Sequence, residues 1–335
     1  MSNLKHIIYL NYKPLIIALF AFIFSWNVGL AQLFSIPDGW ITSTGETISC
    51  GDCDTTFSSD NQFGKFKKGQ KFGYINANNP SFTSPAFDAL TSFNNNIALA
   101  KSNDKWAIID SLGTTKHVIR CHYAYSFSDG LARIQLGNRF GFINEKGETI
   151  ISIQFDGAYD FSEGLARIYH KGKWGFISKT GAIAISPKYN YAWDFSNGLA
   201  SVMTLEGRNE KWGFINTSGK VEIPIKYAYV FPFSDNLAIV KNKPFPVNDL
   251  KIINKQNEIL FKVDAKDIFP FSEGLACVLK KKNEKNLWGF IDTQNKTVID
   301  YQFDQPANFI NGLAYVSQNN TRMYINKTGE IVWKE

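Results

Sequence analysis

Short apolar runs recur along this chain, and inside each run the side chains alternate with a period of two. Leu165-Ala166-Arg167-Ile168, Trp174-Gly175-Phe176-Ile177 and Ala182-Ile183-Ala184-Ile185 make up one set, with a glycine between each run and the next. No stretch of useful length places apolar residues at helical spacing, so the pattern predicts strands and an all-β fold. In the second run Trp and Phe alternate against Gly and Ile, so both faces of that strand are expected to be covered.

The set repeats along the chain. Its tryptophan position is occupied in turn by Phe72, Trp106, Phe140, Trp174, Trp212, Leu250, Trp288 and Arg322, at steps of 34 or 38 residues. All of that variation lies between the tryptophan position and a leading Phe in each unit, as in Phe161-Ser162-Glu163-Gly164-Leu165-Ala166. A connection that absorbs four residues without disturbing its flanks is a surface turn. A half-unit, Asp38 to Ile48, precedes Phe72. With it included, the seventh residue after the tryptophan position is Gly45, Asn79, Gly113, Gly147, Gly181, Gly219, Asn257, Asn295 or Gly329. Gly and Asn enter the left-handed region at least cost, where other residues lose about 1–2 kcal/mol. Asn, Asp, Ser or Thr stands three residues earlier, so each site is predicted to be a type I turn closed by one left-handed residue. Gly130, Gly164, Gly198, Gly274 and Gly312, with Asn96 and Asn236, predict a similar turn before each Leu-Ala run.

Each unit is therefore expected to be a three-stranded antiparallel β-meander followed by a connector bearing an aromatic. One such unit cannot bury its own apolar face, so neighbours must stack. Two architectures fit. In a propeller-like ring, the N- and C-terminal half-units would complete one blade; in an open superhelical β-array, residues 32–60 and Ile331-Val332-Trp333 would cap the ends. A 34-residue unit is short for the four-stranded blade of a propeller. Either way, residues 61–335 form one continuous repeat domain. Trp106, Trp174, Trp212 and Trp288, with Ile143, Ile177, Ile215 and Ile291, are expected in its core, and Gly147, Gly181, Gly219 and Gly329 at its turns.

Lys173-Trp174-Gly175-Phe176-Ile177, Lys211-Trp212-Gly213-Phe214-Ile215 and Trp288-Gly289-Phe290-Ile291, joined to Phe-Ser-x-Gly-Leu-Ala, resemble the bacterial WG-repeat (KWG) family. The resemblance spans the chain beyond its first segment and departs from the pattern at Leu250-Lys251, at Arg322-Met323 and at Ala107, where Gly is lost. It implies a β-repeat protein, often exported, with no general enzymatic activity and no general ligand.

The first residues add a location. Lys5 and Lys13, an apolar run from Leu15 to Trp26 and then Gly29-Leu30-Ala31 have the layout of a signal peptide over residues 1–31. The protein is thus expected to be exported, with no transmembrane segment after cleavage. Residues 32–60 then form an N-terminal half-repeat or cap containing Cys50-x-x-Cys53. That pair sits in a Gly/Asp/Thr-rich turn with no βαβ pattern around it, so a local disulfide or two plain thiols is expected before a redox role. Cys121 and Cys277 occupy repeat columns and read as packing substitutions.

Chemistry is sparse. His117, His122 and His170 form no metal-ligand spacing, and no nucleophile or phosphate-loop motif occurs; the sequence predicts no enzyme, no cofactor and no metal. His122 shares a column with Asp54, Asp88, Asp156, Asn190 and Asp304, expected to cap turns, with a polar ring or cation site as the alternative. The segments between each Leu-Ala and its tryptophan position hold nineteen Lys and Arg against five Asp and Glu. Repetition places those segments along one edge, which predicts a basic rim, richest at Lys65, Lys67, Lys68 and Lys71 and at Lys280, Lys281, Lys282 and Lys285. The function expected is a non-catalytic binding or scaffold protein of the envelope or exterior whose rim meets an anionic polymer or protein, not nucleic acid. The alternatives are a purely structural envelope component and a thiol-redox factor using Cys50 and Cys53.

Overall fold

The computed structural model describes residues 34–36, 39–42, 46–51, 53–57, 62–76, 79–243 and 249–335. Residues 1–31, expected from the sequence to be a signal peptide, and Gly45 of the turn column lie outside them. Every regular element among the described residues is a β-strand, and the strands form nine small antiparallel sheets. The sheets stand as nine blades of a closed β-propeller, so the ring, and not the open array, is the architecture.

Blade 5 shows how a 34-residue unit suffices. Its strands Gly157–Ala158, Leu165–His170, Lys173–Ser178 and Ile183–Tyr189 pair in that order. The unit was expected to hold three strands; the connector contributes a fourth, only two residues long, ahead of them. Seven blades have four strands. The first (Phe34–Ile36, Gly39–Ile41, Thr47–Ser49) and the ninth (Leu313–Gln318, Thr321–Asn326, Ile331–Lys334) have three. The chain ends therefore do not share a blade as expected. They build two separate blades that meet through side chains: Phe34 packs edge-on to Tyr324 at 5.5 Å, and the Tyr324 hydroxyl donates to the Ser35 carbonyl at 3.0 Å.

The turns follow from their residues. Before the last strand of their blades, Gly147, Gly181, Gly219 and Gly329 have φ of +77° to +87°, and Asn257 and Asn295 are also left-handed. In the blade 4 turn the Gly147 N–H donates to the Asn144 carbonyl, while the Asn144 side-chain oxygen accepts from Lys146 and Glu148 N–H. The turn between first and second strands differs from the expectation. Both of its central residues are left-handed, as at Glu163 (φ 53°) and Gly164 (φ 82°), which is the type I′ geometry that matches strand twist.

The core lies between neighbouring sheets. The Phe of each Trp-Gly-Phe meets the leading Phe of the next unit edge to face: Phe142 with Phe161, Phe176 with Phe195 and Phe214 with Phe233, at 4.8–4.9 Å. All six rings are buried, and each contributes about 1.5–3 kcal/mol. Ile143, Ile177, Ile215 and Ile291 are fully buried, as are Trp106, Trp212 and Trp288 nearly so, while Trp174 is half-buried.

The first strands of the four-stranded blades, two residues long in blades 3 and 5 to 8, form the inner edge of the ring. There, equivalent positions of adjacent blades come within hydrogen-bond reach, as Ser92 N–H does with Ser126 Oγ at 3.3 Å. The fourth strands, with alternating exposed residues, form the outer edge.

Candidate functional site

In the four-stranded blades, antiparallel pairing puts the described hairpins between second and third strands, together with the connectors, on one face of the ring. The two glycine-turn sets lie on the other. Hairpins of blades 6 and 8 have eight-residue strands (Leu199–Glu206 with Asn209–Asn216, Leu275–Lys282 with Lys285–Asp292), against six in blades 4 and 5. The extra two residues per strand lift these tips about 6–7 Å above their neighbours.

The acidic column in the connectors serves these hairpins. Asp54, Asp88, Asp156 and Asn190 accept backbone N–H groups of Gly69, Asn103, Lys171 and Leu205, fifteen residues on, and His122 accepts from Gly137 through Nδ1. It is a set of turn caps, spread around the face.

The rim lysines have several fates. Lys65 is half-buried and turns inward, donating to the Leu90 carbonyl of the next blade at 3.2 Å, and burial pulls its ammonium below the ordinary lysine value. It is an inter-blade tie. Lys67 lies 5.8 Å from the Phe72 ring centre, and Lys280 5.2 Å from that of Tyr301. Lys71 pairs with Asp88, Lys281 with Glu284 and Lys282 with Asp300. The hydrogen bonds from Lys71 and Lys282 hold the Asp88 and Asp300 carboxyls below their ordinary values. Asp88 and Asp300 come from outside the basic segments, so carboxylates of connectors and fourth strands offset part of the hairpin charge. Lys68, Lys281 and Lys285 are exposed. The blade 2 and blade 8 groups flank the seam, with blades 9 and 1 between them.

Cys50 and Cys53 are disulfide-bonded, with Cα atoms 5.7 Å apart, and pack partly buried against Trp40, Phe66 and Ile75. Cys121 and Cys277 are free, and burial pushes their thiols up to about 11 and about 12.

A second constellation, on the inner edge of blades 4 to 6, was not singled out from the sequence. Arg133 and Arg167 share the column of Lys65, and each donates to the next blade's inner strand, at the Ala158 and Ala192 carbonyls. Each also pairs with an acid 27 residues on: Arg133 with Asp160 at 2.9 Å, Arg167 with Asp194 at 2.7 Å. The guanidiniums lie against aromatic rings, Arg133 at 3.6 Å from Tyr125, Arg167 at 3.5 Å from Tyr159 and 5.4 Å from Trp193. Burial raises the Asp194 carboxyl, and Arg167 pulls it back. The signal in the sequence is the recurrence of Arg-Ile-(x25)-Asp in two consecutive units only.

The "WG containing repeat" family matches residues 72–106, 119–140, 140–174, 174–205, 212–243, 252–283 and 288–321. No curated protein matches the sequence. Among solved structures, the chain is similar to one described as the crystal structure of the eukaryotic initiation factor, at 11% identity and TM-score 0.63, over 92% of this chain and 96% of that one. It also aligns with the dihydro-heme d1 dehydrogenase NirN in complex with DHE at 13% identity and TM-score 0.47, over 84% and 75% of the two chains. At 11% identity the likeness to the first is one of fold. With seven matched units covering most of its length, the chain belongs to the WG-repeat family.

Proposed function

We propose that this propeller is an exported, non-catalytic binding or scaffold protein whose hairpin face docks an anionic envelope polymer or an acidic protein. The observation that carries this reading is topological: the segments holding nineteen Lys and Arg against five Asp and Glu all lie on one face. A face of one sign steers an oppositely charged partner and binds it in a salt-dependent way. Of the two raised tips, that of blade 8, with Lys281 and Lys285 exposed, is the more basic.

The test is retention of the purified chain on envelope fractions at low salt. Lys281→Glu with Lys285→Glu is expected to cut retention several-fold, and added salt to do the same to the unaltered protein. Equal retention of both proteins at low salt overturns the reading.

A further inference from the structure

Lys65 shares the column of Arg133 and Arg167, but each of the two arginines also faces a carboxylate on the inner edge of the next blade. Position by position, the inner-edge residue before the leading Phe is Ser92, Ser126, Asp160, Asp194, Pro232, Pro270 and Asn308 in blades 3 to 9. Two adjacent blades thus carry a carboxylate where their neighbours carry a hydroxyl, an amide or a ring. The carboxylates are also open on one side. The Asp160 side chain keeps 42% of its surface and that of Asp194 39%, whereas those of Arg133 and Arg167 keep 11% and 3%. Asp194 Oδ1, which faces Arg167, has no accessible surface. The remaining exposure of that carboxylate therefore falls on its Oδ2 side, away from the guanidinium.

The result is a layer of oriented charge. Guanidiniums lie buried behind, carboxylates stand in front, and the sum over the four groups is zero. A group arriving at this inner edge meets the two carboxylates before it meets either guanidinium, and the nearer charge sets the local field. The two carboxylates also repel one another, as Asp160 contributes to the rise of Asp194. A donor placed between them relieves that repulsion.

The kind of donor can be narrowed. A divalent metal asks for six or more oxygen ligands and much negative charge. Here one oxygen of each carboxylate is already committed to an arginine, and two guanidiniums sit close behind. The surroundings are aromatic, with Tyr159 40% exposed and Trp193 half-buried beside the carboxylates. Aromatic walls with carboxylate acceptors suit a weakly hydrated, delocalised cation. We propose that the inner wall of blades 5 and 6 is a binding site for a guanidinium or alkylammonium group, held between Asp160 and Asp194. The group can belong to a small free amine or to an Arg or Lys side chain of a partner peptide. This site is separate from the hairpin face and opposite to it in sign.

The probes are argininamide and a capped, unstructured peptide carrying one Arg, titrated calorimetrically into the whole chain. The unaltered protein is expected to bind at least one of them; binding of both identifies a site for free guanidinium groups, and binding of the peptide alone identifies a side-chain receptor. Asp160→Asn, which leaves Arg133 its bond to Ala158, is expected to weaken binding about tenfold, the loss of one charge-assisted hydrogen bond. Ser126→Asp adds a carboxylate at the equivalent position of blade 4 and is expected to tighten binding, a gain that a folding defect cannot mimic. Lys281→Glu is expected to leave it unchanged, which separates this site from the hairpin face. No binding of either probe at millimolar concentration overturns the proposal, as does binding that ignores both Asp160→Asn and Ser126→Asp.

Discussion

The glycine after each repeat tryptophan answers to its neighbour strand. A Cβ on Gly175 would lie 2.5 Å from the Ile185 carbonyl oxygen and 2.6 Å from Pro187 N, because the fourth strand bulges onto it between the Trp174 and Phe176 pairings. Blade 3 has Ala107 there and no such bulge, and Ala107 pairs with Val118 in unbroken register. Gly175→Ala is therefore expected to destabilise by about 1–3 kcal/mol, read as a drop in the urea midpoint, while Ala107→Gly costs no more than about 1 kcal/mol. The motif was legible in the sequence, but its cause was not, since the bulge involves residues ten positions away. Asp267 is a second residue whose setting only the structure shows. Burial raises its carboxyl above the ordinary value near 3.9, opposed by its bond from Ile268 N–H and by Lys241. The folded state then holds more protons than the unfolded one between those two values, so this group adds stability as pH falls through that window and costs it above. Asp267→Asn is expected to raise the unfolding midpoint at pH 7, with the gain over the unaltered protein vanishing as pH approaches 4.

At the scale of elements, the Phe-Ser-x-Gly turn joins blades as well as strands. Ser162 Oγ donates to the Phe195 carbonyl of the next blade at 2.8 Å, and the Glu163 carboxylate accepts from Gly198 N–H at 2.9 Å. The same two bonds link blade 4 to 5 through Ser128 and Asp129, and blade 8 to 9 through Ser272 and Glu273. The x position is left-handed, and its side chain, Asp, Glu or Asn, reaches the neighbouring turn. Glu163→Ala is expected to speed exchange of the Gly198 amide about tenfold, with Glu163→Gln retaining most of the protection. The turns themselves could be read from the sequence because a left-handed backbone restricts residue choice so strongly. The two-residue inner strand could not: Gly157–Ala158, Tyr191–Ala192 and Asp267–Ile268 are too short to show alternation, and no residue type runs through all three. The Arg133 column was visible, but its acids lie 27 residues away in the following unit, a pairing that only blade stacking creates.

Whether such units close on themselves depends on the angle between neighbours summed over nine steps, a quantity no single repeat displays. Blades 1 and 9 are the one pair of neighbours not consecutive in the chain. Ile310 stands where blades 4 to 8 have the clasping Ser, and the joint is a cluster of Phe34, Ile41, Leu313 and Tyr324 with Trp333 at its margin. This joint decides how the whole molecule unfolds. In an open stack, each unit answers mainly to its neighbours, and damage at one end frays that end alone. In a ring, every blade has two neighbours, and opening the seam removes one from both blade 1 and blade 9. Tyr324→Ala deletes a ring that is 5% exposed together with its bond to Ser35, at a cost of about 3–5 kcal/mol. The expected outcome is a fall in hydrogen-exchange protection in blades 1 and 2 as well as in blades 8 and 9, so that amides almost 290 residues apart in sequence loosen together. Loosening confined to blade 9, with blades 1 and 2 protected as before, would mean that the seam carries no stability and that the nine sheets behave as an open stack bent into a circle.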